Sequence, residues 1–158
     1  VEKLGRRPLM LFGSALMALG NLMLALYFFL PDVGLSILPL AALFVFELGF
    51  SWGLGPIPWI IMAEVFPTSV AAKGAAITTA VNWSSSFVVT LAFPHLERLF
   101  TKQGTFLIFA VICMSCFLFT LVLVPETRGL TVDEILLKLN SKTLRSTEAG
   151  NSLADLRE

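Results

Sequence analysis

The chain has 158 residues, of which 56% are hydrophobic and only 14% are charged. A typical soluble domain is about 45–50% apolar and about 25% charged, so this composition argues against a soluble globular protein and against a disordered one. The 11 basic residues balance the 11 acidic ones, which leaves no excess positive charge for binding nucleic acid. Cys113 and Cys116 share one apolar run and fit neither a disulfide framework nor a zinc site.

Long uncharged stretches recur along the chain. About 20 apolar residues cross the hydrocarbon core of a membrane as a helix. The pattern predicts an all-α membrane protein with four transmembrane helices at 9–30, 37–63, 74–96 and 105–124. Residues 1–8 are expected to form a cytoplasmic loop and residues 126–139 a cytoplasmic motif with a short amphipathic helix. Residues 140–158 are polar and rich in Ser and Thr, which predicts a disordered cytoplasmic tail.

The basic residues predict the orientation. With four helices, 9 of the 11 Lys and Arg residues fall on one side of the membrane, and only Arg98 and Lys102 fall on the other, in the loop before the last helix. Because basic residues concentrate on the cytoplasmic side, both ends of the segment are expected to be cytoplasmic. The chain opens with Val1 and a charged segment, so we expect a C-terminal fragment of a longer multi-pass protein.

Polar residues repeat along the third predicted helix, where Thr78, Asn82, Ser86 and Thr90 are spaced by four. Polar side chains inside a membrane face protein or a water-filled cavity. Hydrogen bonds between helices would account for this stripe, and so would a position on the wall of a cavity.

The second predicted helix is interrupted by Gly53-Leu54-Gly55-Pro56-Ile57-Pro58-Trp59. Two prolines remove two backbone donors, so the helix must kink or unwind here. The break is either a static kink or a hinge beside a binding site, with Gly53, Gly55, Pro56 and Pro58 as hinge residues. Trp59 offers an indole that can stack on the apolar face of a sugar.

Glu47 is the one charged residue between Gly34 and Ala63. A carboxyl group inside a membrane marks a proton or substrate contact by default. A protonated or hydrogen-bonded carboxyl between helices is the alternative, and the sequence leaves both open.

Three segments together resemble the sugar porter family of the major facilitator superfamily, the facilitative hexose transporters. The segment Glu2-Lys3-Leu4-Gly5-Arg6-Arg7 resembles the signature before the ninth helix of that family. Gly55-Pro56-Ile57-Pro58-Trp59 followed by Glu64-Val65-Phe66-Pro67 resembles the tenth helix, and Pro125-Glu126-Thr127-Arg128-Gly129 resembles the motif after the twelfth. The resemblance covers residues 1–139 and implies that the predicted helices are the last four of twelve.

The resemblance also implies which residues contact substrate: Trp59, Trp83, Asn82, Ser86 and Ser51. Two of these depart from the well-known glucose carriers, because Ser86 replaces an Asn and Ser51 replaces a Glu. The run 49–59 and Asn82-Trp83-Ser84 are more similar to the intracellular-type glucose transporters and the insect trehalose transporters.

An alternating-access mechanism follows from the same resemblance, with a network of charges that closes the cytoplasmic side. Its expected members are Glu2, Arg6, Arg7, Glu64, Glu126 and Arg128. The family has an Arg seven residues after the Glu that ends the tenth helix, whereas this chain has Ala71 there and Lys73 nearby. The Glu64 carboxylate therefore lacks the basic residue that the resemblance implies as its partner.

The sequence therefore predicts a facilitative sugar carrier. A proton-coupled sugar symporter and a non-transporting membrane sensor or interaction protein are the alternatives. No enzyme activity, cofactor or metal site is expected, and the lone His95 has no nucleophile or ligand partner in pattern. The expected partners are a monosaccharide or small disaccharide, membrane lipid and the N-terminal part of the same transporter, with no nucleic acid. Neither the sugar nor the membrane, plasma or intracellular, follows from the sequence.

Overall fold

The computed structural model describes residues 5–30 and 37–124, together with the single positions 126, 129, 134 and 137. The described part is helical. It contains α1 (Arg6–Phe29), α2 (Leu38–Gly49), a π-helical turn (Phe50–Leu54), α3 (Ile57–Val65) and α4 (Ala71–Val122). Three segments are long and apolar enough to cross a membrane: Arg6–Phe29, Leu38–Val65 and Ala71–Val122.

Helix α1 lies at the centre of the packing and contacts α2, α3, α4 and the π-helical turn. Small residues line much of its buried surface, among them Gly13, Ser14, Ala18 and Gly20. Without a hydrophobic driving force between helices in lipid, small residues stabilise a helix pair by letting the backbones approach closely.

The closest approach joins α1 to the second predicted helix. A Cβ atom on Gly13 would lie 2.6 Å from the carbonyl oxygen of Gly49 and 2.7 Å from the Cα of Gly53. One side chain larger than hydrogen on either helix would push the backbones apart. Gly49 and Gly53 are four residues apart and so share one face of the helix.

Helix α4 reverses direction at Thr101, whose φ of 63° and ψ of 171° are not helical. The rings of Phe93 and Phe109 stack with their centroids 6.1 Å apart. In a straight helix these residues would be about 24 Å apart, at 1.5 Å per residue. The two parts of α4 therefore run side by side in opposite directions.

This reversal corrects one expectation. Arg98 and Lys102 were predicted to lie in a loop, but both are helical, and a single residue between them makes the turn. The turn is stabilised from both sides. The Lys102 ammonium lies 5.5 Å from the centroid of the Phe28 ring, and the Thr105 hydroxyl donates to the Thr101 carbonyl at 2.9 Å.

Helix α1 also begins earlier than predicted, at Arg6 rather than Leu9. Two arginines enter the first turn because a carboxylate accepts hydrogen bonds from their backbone N–H groups, as described below. The predicted tail at 140–158 lies outside the described residues, and so does the predicted amphipathic helix apart from Glu134 and Leu137.

Candidate functional site: a helix-end charge cluster and a broken helix

The start of α1 is capped by a carboxylate from the far end of the described chain. The backbone N–H of Arg6 donates to Oε1 of Glu126 at 2.9 Å, and that of Arg7 donates to Oε2 at 3.1 Å. The first N–H groups of a helix lack partners within the helix, and its N-terminus carries partial positive charge. A carboxylate that accepts from two of them satisfies both requirements at once.

Gly5 makes this cap possible. Its φ is +84°, a conformation that side-chain-bearing residues rarely adopt. A Cβ atom at this position would also lie 2.7 Å from Oε2 of Glu126. The Gly-Arg-Arg sequence thus places a glycine where both the backbone angle and the approach of the carboxylate require one.

The two arginine side chains extend the cluster to other helix ends. Nη2 of Arg6 lies 2.5 Å from Oε1 of Glu64, which is at the end of α3, and both side chains are mostly buried, with 17% and 24% of their surface exposed. Nη2 of Arg7 donates to the backbone carbonyl of Leu121 near the end of α4. We call Arg6, Arg7, Glu64 and Glu126 the charge cluster.

The charge cluster contains four of the six residues predicted for the cytoplasmic network. The other two, Glu2 and Arg128, lie outside the described residues. Glu64 pairs with Arg6, which supplies a positive charge although Ala71 occupies the position of the family's usual arginine.

The predicted break in the second helix coincides with the π-helical turn. The N–H of Gly55 donates to the Phe50 carbonyl at 2.8 Å, five residues back instead of four. Pro56 and Pro58 carry no N–H, so the carbonyls four residues before them lose their ordinary helical donors. Helix α3 restarts at Ile57 with proline in its first turn, where a missing donor costs nothing.

The glycines at the break do different things. Gly53 packs against the Cα of Gly13, so it serves close packing with α1. Gly55 lies where a Cβ would be 2.9 Å from the Phe50 carbonyl, against the π-helical turn itself. Both glycines were predicted as hinge residues, and the packing role of Gly53 was not predicted, although Gly49-x-x-x-Gly53 is a spacing typical of close helix contacts.

The predicted substrate contacts lie on open surfaces. Trp59 on α3 and Trp83 on α4 have 37% and 68% of their surface exposed. Ser51, Asn82 and Ser86 are exposed as well. The hydroxyl of Ser86 donates to the Asn82 backbone carbonyl at 3.0 Å, one turn earlier in the same helix.

A separate cavity lies between α1, α2 and both parts of α4. Its volume is about 460 Å³ and its walls are almost entirely apolar, with Phe46, Phe93 and Phe109 among them. None of the predicted substrate contacts lines it. Asn21 is its polar member, and its amide donates to the Met17 carbonyl at 3.0 Å. Asn21 was not among the predicted site residues, although it is polar within an apolar run.

Among the described residues, no group of three or more His, Cys, Asp or Glu side chains could hold a metal ion.

Comparison with known proteins decides the family. The profile of the family described as Sugar (and other) transporter matches residues 1–138. This chain belongs to that family. The facilitated trehalose transporter Tret1 of Bombyx mori is 37% identical over 150 residues, and the same transporter of Anopheles gambiae is 35% identical over 156. The matches cover 92% and 96% of this chain but only 30% and 20% of those relatives.

Similarity to solved structures supports the same family. The chain superimposes with a TM-score of 0.78 on the proton:xylose symporter XylE bound to 6-bromo-6-deoxy-D-glucose, at 29% identity. That match covers 88% of this chain and 30% of XylE, which belongs to the major facilitator superfamily. A double-tryptophan mutant of XylE gives the same TM-score over 85% of this chain. The described part of the chain is therefore a helical, multi-pass membrane segment of a transporter family, and membership of that family confirms the prediction that the chain is not an enzyme.

Proposed function

We propose that this chain forms the last four helices of a twelve-helix sugar transporter and contributes part of its sugar pathway. The observation that carries the proposal is the open face of α3 and α4. Within a chain of the sugar transporter family, Trp59, Trp83 and Asn82 remain exposed while α1 is packed on several sides. Aromatic rings and amides are the groups that bind a sugar's apolar face and its hydroxyls.

Four membrane passes follow if the two parts of α4 cross separately. At 1.5 Å per residue, residues 71–100 and 102–122 are each about 30 Å long or longer, which matches the hydrocarbon core. A single straight α4 would be about 78 Å long, far more than a membrane can accommodate. The reversal at Thr101 supports separate crossings.

The charge cluster then lies on the cytoplasmic side, since the basic residues favour that orientation. We assign it the role of an inner gate. It ties the start of α1 to the ends of α3 and α4 in one state of the transporter. Loss of these contacts would free those ends for the inward-facing state, with the break at the π-helical turn as the flexible point.

Facilitated transport of a monosaccharide or small disaccharide is the mode we propose, in line with the named activity of the Tret1 relatives. Proton-coupled transport is the second candidate. Two observations favour it: XylE is a proton:xylose symporter, and Glu47 is a carboxylate within an apolar span. Uptake into proteoliposomes with and without an imposed pH gradient separates the two, because only a symporter concentrates sugar when protons flow inward.

The tryptophans test the proposal in the full-length transporter that carries this chain. Trp59→Ala and Trp83→Ala should each weaken sugar binding about fivefold, because aromatic contacts contribute about 1 kcal/mol beyond area burial. The measurement is labelled-sugar uptake at equal protein content. Trp52→Ala is the matched control, because Trp52 is also exposed but is not assigned to the pathway. Equal uptake by all three variants would remove both tryptophans from the site.

A further inference from the structure

Glu47 and Ser51 form a polar pair on α2 and the π-helical turn. The hydroxyl of Ser51 donates to Oε1 of Glu47 at 3.2 Å, and both residues are exposed. The pair begins in the last turn of α2 and ends in the π-helical turn. Such turns are frequent at functional sites in helices.

This use of a serine differs from that of six other hydroxyls in the described helices. Those six donate to the backbone carbonyl four residues earlier, which satisfies them within their own helix: Ser14, Ser86, Thr90, Thr105, Ser115 and Thr120. Ser51 instead donates to the side chain four residues earlier. The Ser51 hydroxyl therefore orients the Glu47 carboxyl group, whereas a hydroxyl bonded to its own helix backbone orients no other side chain.

The pair points away from α1. Ala42 and Gly49 are the buried residues of α2, and Phe46 approaches Gly20 of α1. At about 100° per residue, Glu47 lies about 160° around the helix from Gly49, on the opposite side. An ionisable side chain at membrane depth faces a bundle interior or a water-filled cavity rather than lipid. The Glu47 side of α2 is thus a wall of the pathway in the assembled transporter.

We propose that Glu47 binds sugar hydroxyls and determines which sugars the transporter accepts, with Ser51 as the residue that positions its carboxylate. This inference rests on the proposed function and adds a specificity-determining residue to it. Each sugar hydroxyl can donate one hydrogen bond, and an ionised carboxylate is an acceptor with two oxygens. With one oxygen held by Ser51, the other is directed at the ligand.

The experiment measures binding of a sugar and of its single-deoxy analogues to the full-length transporter, in wild type and in Glu47→Ala. Wild type should lose affinity most for the analogue that lacks the contacting hydroxyl. A hydrogen bond to a charged group corresponds to roughly a tenfold to hundredfold change in binding. In Glu47→Ala the parent sugar should bind that much more weakly, and the penalty for that one analogue should disappear while the others persist.

Further variants keep the result interpretable if Glu47→Ala fails to fold. Glu47→Gln retains one acceptor oxygen, so the loss of affinity for the analogue that lacks the contacting hydroxyl should be reduced but not abolished. Ser51→Ala should weaken parent-sugar binding about threefold in wild type but not in a Glu47→Leu background, because Leu has no oxygen for the Ser51 hydroxyl to position. Ser51→Thr should restore binding. Ser115→Ala is the matched control, since the Ser115 hydroxyl donates only to its own helix.

The outcomes separate this inference from the proposed function. A wild-type protein that binds no sugar would overturn the proposed function and this inference with it. If wild type binds sugar, and Glu47→Ala or Glu47→Gln shows the same loss of affinity for each deoxy analogue as wild type does, the inference alone is overturned. Loss of proton-driven accumulation with unchanged analogue penalties would also overturn it, because Glu47 would then carry protons rather than bind sugar.

Discussion

The charge cluster and the open face of α3 and α4 are built in opposite ways. In the charge cluster, Glu126 accepts from two backbone N–H groups and Arg6 meets Glu64, all within this chain. On the open face, Trp59 and Trp83 are exposed, and so are Asn82 and Ser86, whose one hydrogen bond to each other joins the Ser86 hydroxyl to the Asn82 backbone carbonyl within the helix.

This difference indicates that the two regions have different functions. Groups that are satisfied within the chain stabilise the fold or one of its states, whereas a polar face left open within a membrane segment must be satisfied by another part of the transporter or by substrate. Substitutions in the internally packed region should therefore change unfolding or the balance of states. Substitutions on the open face should change sugar binding.

The largest effect is expected at the close contact between α1 and the π-helical turn. Gly53→Ala should lower the free energy of unfolding by about 3 kcal/mol, because its Cβ would lie 2.7 Å from the backbone Cα of Gly13. Gly74→Ala is the matched control. Its Cβ would meet the Phe66 ring, a side chain that can rotate away, so its cost should stay below about 1 kcal/mol. Thermal unfolding in detergent measures both variants. If Gly53→Ala destabilises the protein no more than Gly74→Ala does, the close contact between the two backbones does not contribute to stability.

A smaller effect is expected at the α1 cap. Gly5→Ala should destabilise by about 2 kcal/mol, from strain at positive φ together with displacement of the Glu126 carboxylate. Gly129→Ala isolates the first contribution, because Gly129 also has positive φ, at +69°, but no described residue lies within 4 Å of its Cβ position. Unfolding of the two variants in detergent should differ by about 1 kcal/mol. If they are equally destabilised, the carboxylate cap contributes nothing.

A still smaller effect is expected from the charge cluster acting as a gate. Arg6→Ala or Glu64→Ala should shift the transporter toward its inward-facing state about tenfold, since loss of about 1.4 kcal/mol from one state does so. An inhibitor that binds from the inside should bind equally well or more tightly, while external sugar binds more weakly. Similar weakening on both faces would show that the cluster only holds helix ends in place.

A pair of double-mutant cycles identifies which cation serves Glu64. The cycle between Arg6 and Glu64 should give a coupling near 1 kcal/mol, because their contact at 2.5 Å is mostly buried. The cycle between Lys73 and Glu64 is the comparison, since the sequence offered Lys73 as the substitute for the absent arginine. A larger coupling for Lys73 would reverse the assignment of Arg6.

Hydropathy alone indicated which parts of the chain form helices long and apolar enough to cross a membrane, because about 20 apolar residues in lipid fold as a spanning helix. Prolines 56 and 58 likewise fixed the place of the break, since a missing N–H acts within a single turn. The sequence did not show that the chain turns back at one residue, Thr101, because a β-branched residue at positive φ is a poor turn former and persists only when its surroundings hold it there.

Local chemistry therefore determined the helical class, the break and the family motifs. The tertiary structure decided which distant residues contact each other. Glu126 is 120 positions from Arg6 in sequence, and only packing of the helices brings its carboxylate to that N–H. The role of Gly53 also depends on the backbone of α1 lying against it. Hydropathy and propensity act over one or two turns, whereas the contacts that cap, pair and separate these helices are set by where distant helix ends meet in space.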